Sequence, residues 1–199
     1  METYNNVQAL HAKTREEWRK WLAHNNSTEK SVWLIIYKKE SNIPSVYYPE
    51  AVDEALCFGW IDSKPNKRDE ESYYQYFSKR NPKSNWSKVN KQKIAYLLEK
   101  GLMRPAGLEM VRVAKENGTW TALDEVNDLI VPDDLQELFL ANKTAFNNWT
   151  KFPASSRRGI LEWIFNAKRP ATRRKRIEET VSLAEKDSRA NQYRQPNKK

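Results

Sequence analysis

Apolar residues recur along this chain at two spacings, and the change from one to the other marks out its elements. Thr14 followed by Glu17 has the form of a capping box, and Trp18, Trp21 and Leu22 then fall at i, i+3 and i+4, which predicts a helix over roughly 14–25. The run SVWLIIYKK is β-branched and aromatic, is bounded by NNSTEK and ESNIPS, and reads as a buried central strand. In YPEAVDEALCF, Pro49 stands at a first helical position. Ala51, Ala55 and Phe58, with Val52 and Leu56, share a face, and Gly59 follows where a left-handed cap belongs. WIDSKPNKR and SYYQYFSKR flank DEE, and the second alternates Tyr74, Tyr76 and Ser78 against Tyr73, Gln75 and Phe77, so the pair predicts a hairpin joined to the earlier strand.

Further helices are expected over about 86–100, closed by Gly101, and in RPAGLEMVRVAKENG, between Pro105 and Gly118. Beyond Trp120 an acidic stretch leads to PDDLQELFLAN, KTAFNNWTKF, SSRRGILEWIFNAK and PATRRKRIEETVSLAEK. In the last two, Ile160, Ile164 and Ala167, then Ile177, Val181 and Ala184, keep helical spacing. The expected class is α+β. A small three-stranded, mostly antiparallel sheet packed with helices occupies residues 1–120, an all-helical C-terminal domain follows over 121–188, and 189–199 form a disordered basic tail.

A chain of 199 residues can bury a true core, and eight Trp, nine Tyr and six Phe concentrate its apolar area in few positions. One cysteine, Cys57, cannot form an internal disulfide, and His11 and His24 offer no metal-ligand spacing with it, so neither a structural metal nor a cofactor is expected. At the C-terminal end of a helix, among apolar neighbours, Cys57 reads as a packed, inert thiol. No signal-peptide pattern opens the chain and no apolar run approaches the ~18 residues of a membrane span, so a cytoplasmic location is expected.

The net charge of +9 is unevenly placed: residues 168–199 hold eleven Lys/Arg against four Asp/Glu, whereas Glu116 to Asn142 carries seven acids and no Lys or Arg. An anionic partner would approach the basic end. There Lys168, Arg169, Arg173, Arg174, Lys175 and Arg176 form a basic patch. It reads either as a solvated face docking on the acidic stretch or as a surface for nucleic acid or an anionic membrane.

Two further clusters carry candidate chemistry. Asp62 lies two residues past Trp60 on the same strand face and, paired with Arg80, either aims that guanidinium at a ligand or makes a structural ion pair. In KRNPKSNWSKVN, Ser84 or Asn85 can cap the next helix, and Ser84 and Ser87 with the first free N–H groups form an anion cradle beside Lys79, Arg80 and Lys83. Plain capping, with Trp86 anchoring the helix and Asn90 facing solvent, is the bland alternative. The combined expectation is one ligand site of Trp60, Asp62, Arg80, Ser84, Trp86, Ser87 and Asn90, with no catalytic residues and no metal. Nucleotide-loop, dinucleotide, HExxH, GxSxG and CxxC patterns are all missing from the sequence.

EALCFGWIDS, RNPKSNWSKVN, GLMRPAG, AKENGTW, PDDL and AKRPATRRKRI, in this order, resemble the YdeI/OmpD-associated, or bacteriocin-protection, family, over about 14–188 of the chain. The resemblance implies a soluble α+β protein with a stress or defence role against bacteriocins or cationic antimicrobial peptides and association with an outer-membrane porin; it carries no active site. The function expected is thus a non-enzymatic stress or defence protein that binds a small anion or a protein partner. The alternative is nucleic-acid or anionic-surface binding through the basic C-terminal helix. Direct capture of a cationic peptide by a chain of net charge +9 would have to use the acidic 116–142 surface.

Overall fold

The computed structural model describes residues 2–192, which fall into two compact units divided between Ala122 and Leu123. In the first, strands β1 (Thr3–Tyr4) and β2 (Val7–His11) form a hairpin turned by Asn5 and Asn6, both at positive φ, as such tight turns require. Helix α1 (Arg15–Asn25) then crosses to β3 (Ser31–Tyr37), which pairs parallel to β2. The hairpin of β4 (Trp60–Lys67) and β5 (Ser72–Lys79) adds antiparallel to β3 through β5, giving the order β1-β2-β3-β5-β4.

The sheet is therefore five-stranded and mixed, not the three-stranded antiparallel sheet expected. The two extra strands come from METYNNVQALH, where β1 is two residues long and β2 has only Val7, Ala9 and Leu10 to bury. Their pairing rests on β3, more than twenty residues on, and no local pattern announces it.

On one face of the sheet Val32, Leu34, Ile36 and Phe77 meet α1 and α2 (Tyr48–Cys57), burying Trp18, Leu22, Val52, Leu56 and Trp60 completely or nearly so. On the other, Trp33, Ile35 and Tyr74 form a separate cluster with Tyr4 and Tyr76. Helices α3 (Lys88–Glu99) and α4 (Pro105–Glu116) complete this unit, packing Ile94, Leu97 and Val111 into the first core.

The second unit is wholly helical: α5 (Asp124–Asn127), α6 (Asp133–Ala141), α7 (Lys143–Lys151), α8 (Ala154–Phe165) and α9 (Pro170–Glu185). Ile177, Thr180, Val181 and Ala184 give α9 the buried stripe that packs on α6, α7 and α8, around Phe139, Trp149 and Ile160. The tail expected to be disordered from 189 is held in its first residues: Ala190 is buried, Arg189 donates to Ser156 at 3.0 Å and Asn191 to the Gly159 carbonyl at 3.3 Å. The rest of that tail, 193–199, lies outside the described residues.

Candidate functional site

The site expected from the sequence turns on the corner between α2 and β4. Phe58 and Gly59 bond back to the Ala55 and Leu56 carbonyls at 3.1 Å, and Gly59 takes φ +75°, so the helix reverses into a strand within two residues. The start of α4 sits directly on this corner. A Cβ added to Gly107 would lie 2.7 Å from the Cys57 carbonyl carbon and 2.8 Å from the Leu56 oxygen, which no side chain can relieve. The apolar residues of the corner face inward. Cys57 is fully buried, and burial, with the nearby Glu54 charge, pushes its thiol up.

Trp60 is 0% exposed, packed edge-on to Trp21 at 5.8 Å, and Trp86 is 2% exposed. Both indoles are core residues and neither rims an open cleft. Asp62 shares the Trp60 face and accepts a hydrogen bond from the Tyr48 hydroxyl at 2.6 Å. That bond and burial raise the Tyr48 phenol, the burial more.

Arg80 goes elsewhere. Its backbone N–H bonds the Gly59 carbonyl at 2.9 Å, and its guanidinium lies 3.8 Å from the Trp86 ring centroid and donates to the Asn85 carbonyl at 2.6 Å. Asp62 and Arg80 form no ion pair among the described residues. The register puts Asp62 opposite Phe77, about 10 Å of strand from the level of Arg80. The expected Asp62–Arg80 pairing is thereby corrected, because the strand that aligns Asp62 with Trp60 carries it away from the corner where Arg80 sits.

Ser87, not Ser84 or Asn85, caps α3, accepting from the Asn90 N–H at 3.2 Å. The reason lies in the preceding loop: Ser84 is turned back on the Asn81 carbonyl at 2.7 Å, and the Trp86 N–H is taken by the Thr119 carbonyl at 3.2 Å, which delays the helix. Asn117 ties the same loop down through the Pro82 carbonyl at 2.9 Å. Trp86 packs on Trp120 at 5.0 Å, and the Lys91 and Lys115 ammonium groups lie 5.9 and 5.5 Å from the Trp120 ring.

Arg80 is thus 6% exposed with a guanidinium that meets one carbonyl, one indole face and no carboxylate, and its Nε has no acceptor. Burial alone lowers it to about 10.

In the helical unit the basic patch divides. Arg173 makes two bonds to Asp134, at 2.7 and 2.8 Å, Arg174 pairs with Glu178 at 2.9 Å, and Arg176 donates to the Trp163 carbonyl while lying over its ring. Lys168, Arg169 and Lys175 are exposed to solvent. The Asp134–Arg173 pair holds the Asp134 carboxyl below its ordinary 3.8. A depressed folded value stabilises above the unfolded one and is lost as pH falls through the folded one, so part of this unit's stability should vanish below about pH 4. Acid unfolding followed by circular dichroism should show an Asp134→Asn variant with a flatter acid limb, by no more than ~1 kcal/mol for so exposed a pair.

Sequence reasoning missed Glu54, which is 2% exposed in α2 and held by Arg15 at 2.5 Å and by Arg19, whose Nη2 also donates to the Leu102 carbonyl at 2.9 Å. The signal was available: an acid between Ala51 and Ala55 on an apolar helix face, and two arginines four apart on the neighbouring helix. It missed the Tyr48–Asp62 bond as well, which no local spacing announces. Among the described residues no group of three His, Cys, Asp or Glu side chains could hold a metal, and no helix is long and apolar enough to cross a membrane.

Residues 10–110, half of the chain, match a family described as a domain of unknown function, DUF8412. The chain belongs to that family. Residues 128–187 match a second family, described as Bacteriocin-protection, YdeI or OmpD-Associated. The resemblance read along about 14–188 is therefore divided: PDDL and AKRPATRRKRI lie in the YdeI/OmpD-associated segment, while EALCFGWIDS, RNPKSNWSKVN and GLMRPAG lie in the DUF8412 domain. No curated protein and no solved structure matches the chain.

Proposed function

We propose that this is a non-enzymatic binding protein that holds a small phosphate- or carboxylate-bearing molecule at Arg80. The defence role in the name of the YdeI/OmpD-associated family supports placing it in protection against bacteriocins. The observation that carries the reading is a cation nine-tenths buried without a counter-charge. Desolvating a guanidinium is costly, and an anion that pairs with it recovers that cost as affinity. The N-terminus of α3, one residue past Trp86, adds oriented N–H groups of the right sign. The nucleic-acid reading is supported less well, because three of its six cations are already engaged within the helical unit.

The test is thermal unfolding at low salt with inorganic phosphate and a series of small carboxylates, on the native chain and on Arg80→Met. The native chain should gain a saturable rise in melting temperature that the variant lacks. An equal rise in both would remove Arg80 from the site.

A further inference from the structure

A hollow of about 630 Å³ opens beyond the start of α2, on the helix-side face of β4 and β5. It lies where the strand pairing slips: Asp62 faces Phe77 but Pro65 faces Gln75, so β4 carries one extra residue, a bulge on the edge of the sheet beside a proline that has no N–H to lose. The bulge turns the Ser63 carbonyl onto the Gln75 amide, which is 2% exposed on the core face opposite Leu34.

The charged groups around this hollow are already engaged by the protein. Lys38 donates to the Glu70 carbonyl at 2.7 Å and Lys67 pairs with the Glu70 carboxylate. Asp69 is held by Arg68 and by the Ser72 N–H and hydroxyl, and Asp62 by Tyr48. The groups left over are neutral. The Tyr73 hydroxyl, the Gln75 side-chain oxygen and the Asn66 amide have no partner among the described residues, and these residues line the hollow together with Tyr48 and Pro65. The lysines and carboxylates of the lining, Lys38 and Lys67 against Asp69 and Glu70, cancel in sum, so a charged ligand gains no net counter-charge there. A ligand with an apolar face and several hydroxyls would find ring surfaces for the one and unpaired donors and acceptors for the others.

We propose that this hollow, built by Tyr48, Pro65, Asn66, Tyr73 and Gln75, binds a neutral polyhydroxyl compound of the saccharide class. It is separate from the Arg80 locus and does not depend on it.

Titrating the full chain with methyl glycosides of glucose, galactose and N-acetylglucosamine through the millimolar range, followed by amide chemical shifts, tests this. Glucuronate and glucosamine serve as charged comparisons. Saturable shifts centred on residues 66–67 and 72–75 are expected for at least one neutral glycoside, and Arg80→Met should retain them. Tyr73→Phe removes a hydroxyl that nothing in the protein uses, so it should leave the spectrum folded and weaken binding roughly three- to tenfold. The proposal is overturned if no neutral glycoside gives saturable shifts there, if either charged sugar binds more tightly, or if Tyr73→Phe binds as the native chain does.

Discussion

Replacing Arg15 and Arg19 together by Met is expected to destabilise the N-terminal unit by ~3–5 kcal/mol, because it leaves the Glu54 carboxylate buried with nothing to balance it. Glu54 is 2% exposed, whereas its two arginines are 30% and 21% exposed, so the burden of desolvation falls on the acid. Arg19 also bonds the Leu102 carbonyl, which joins α1 to the segment leading into α4, and lies 5.5 Å from the Phe58 ring. Losing it should therefore loosen the corner at Gly59 as well. A triple variant that adds Glu54→Met separates the two effects. Removing the stranded charge should restore most of the stability, since a buried ion pair often has little net value over well-packed apolar residues. Urea unfolding of the three chains reads this directly; a triple variant no more stable than the double would show that the arginines act through packing alone.

Trp18→Ala should cost a similar ~3–5 kcal/mol, through a cavity that the surrounding core cannot refill. Trp18 is fully buried, stacks on Trp21 at 5.3 Å and meets Phe77 at the same distance, so it joins α1 to the sheet. Its indole N–H donates to the Ala51 carbonyl at 3.0 Å and so fixes α2 as well. The expected result is a lower urea midpoint with an unchanged slope, the sign of lost stability without a change in the surface exposed on unfolding. A loss of less than about 1 kcal/mol would mean that α1 packs far more loosely than these contacts require.

Both effects bear on function because the elements they join position the two candidate loci. The corner at Gly59 supplies the carbonyl that anchors the Arg80 backbone, and α2 carries Tyr48 to Asp62. A variant that loosened α2 should blunt ligand responses at both places at once, whereas Arg80→Met and Tyr73→Phe should each affect one.

Much of the local structure was legible in the sequence. Thr14 caps α1 as the spacing announced, accepting from the Glu17 N–H at 3.2 Å, while the Glu17 carboxylate reaches back one residue beyond the cap, to the Lys13 N–H at 2.8 Å. Gly59 ends α2 at positive φ, β3 runs through the centre of the sheet, and Ile177, Val181 and Ala184 bury one face of α9. Each of these depends on neighbours within about four residues, where side-chain size, capping groups and φ preferences act directly. The sequence by itself therefore determined the α+β class, most elements, the inward-facing thiol of Cys57 and the opposed charge of the acidic and basic segments.

Only the tertiary structure decided which chemistry meets. The parallel pairing of β2 with β3 and the burial of Glu54 under two arginines of another helix depend on contacts between residues distant along the chain. So do the separation of Asp62 from Arg80 and the transfer of the cap from Ser84 to Ser87. Alternation along a strand tells which residues share a face but not which partner stands beside them, because register is set by the whole sheet and by a single extra residue at the bulge in β4. The same limit explains Arg80: the sequence offers it to Asp62 or to an anion cradle beside Lys79 and Lys83, and only packing against Trp86 and the 117–120 segment takes this cation out of water.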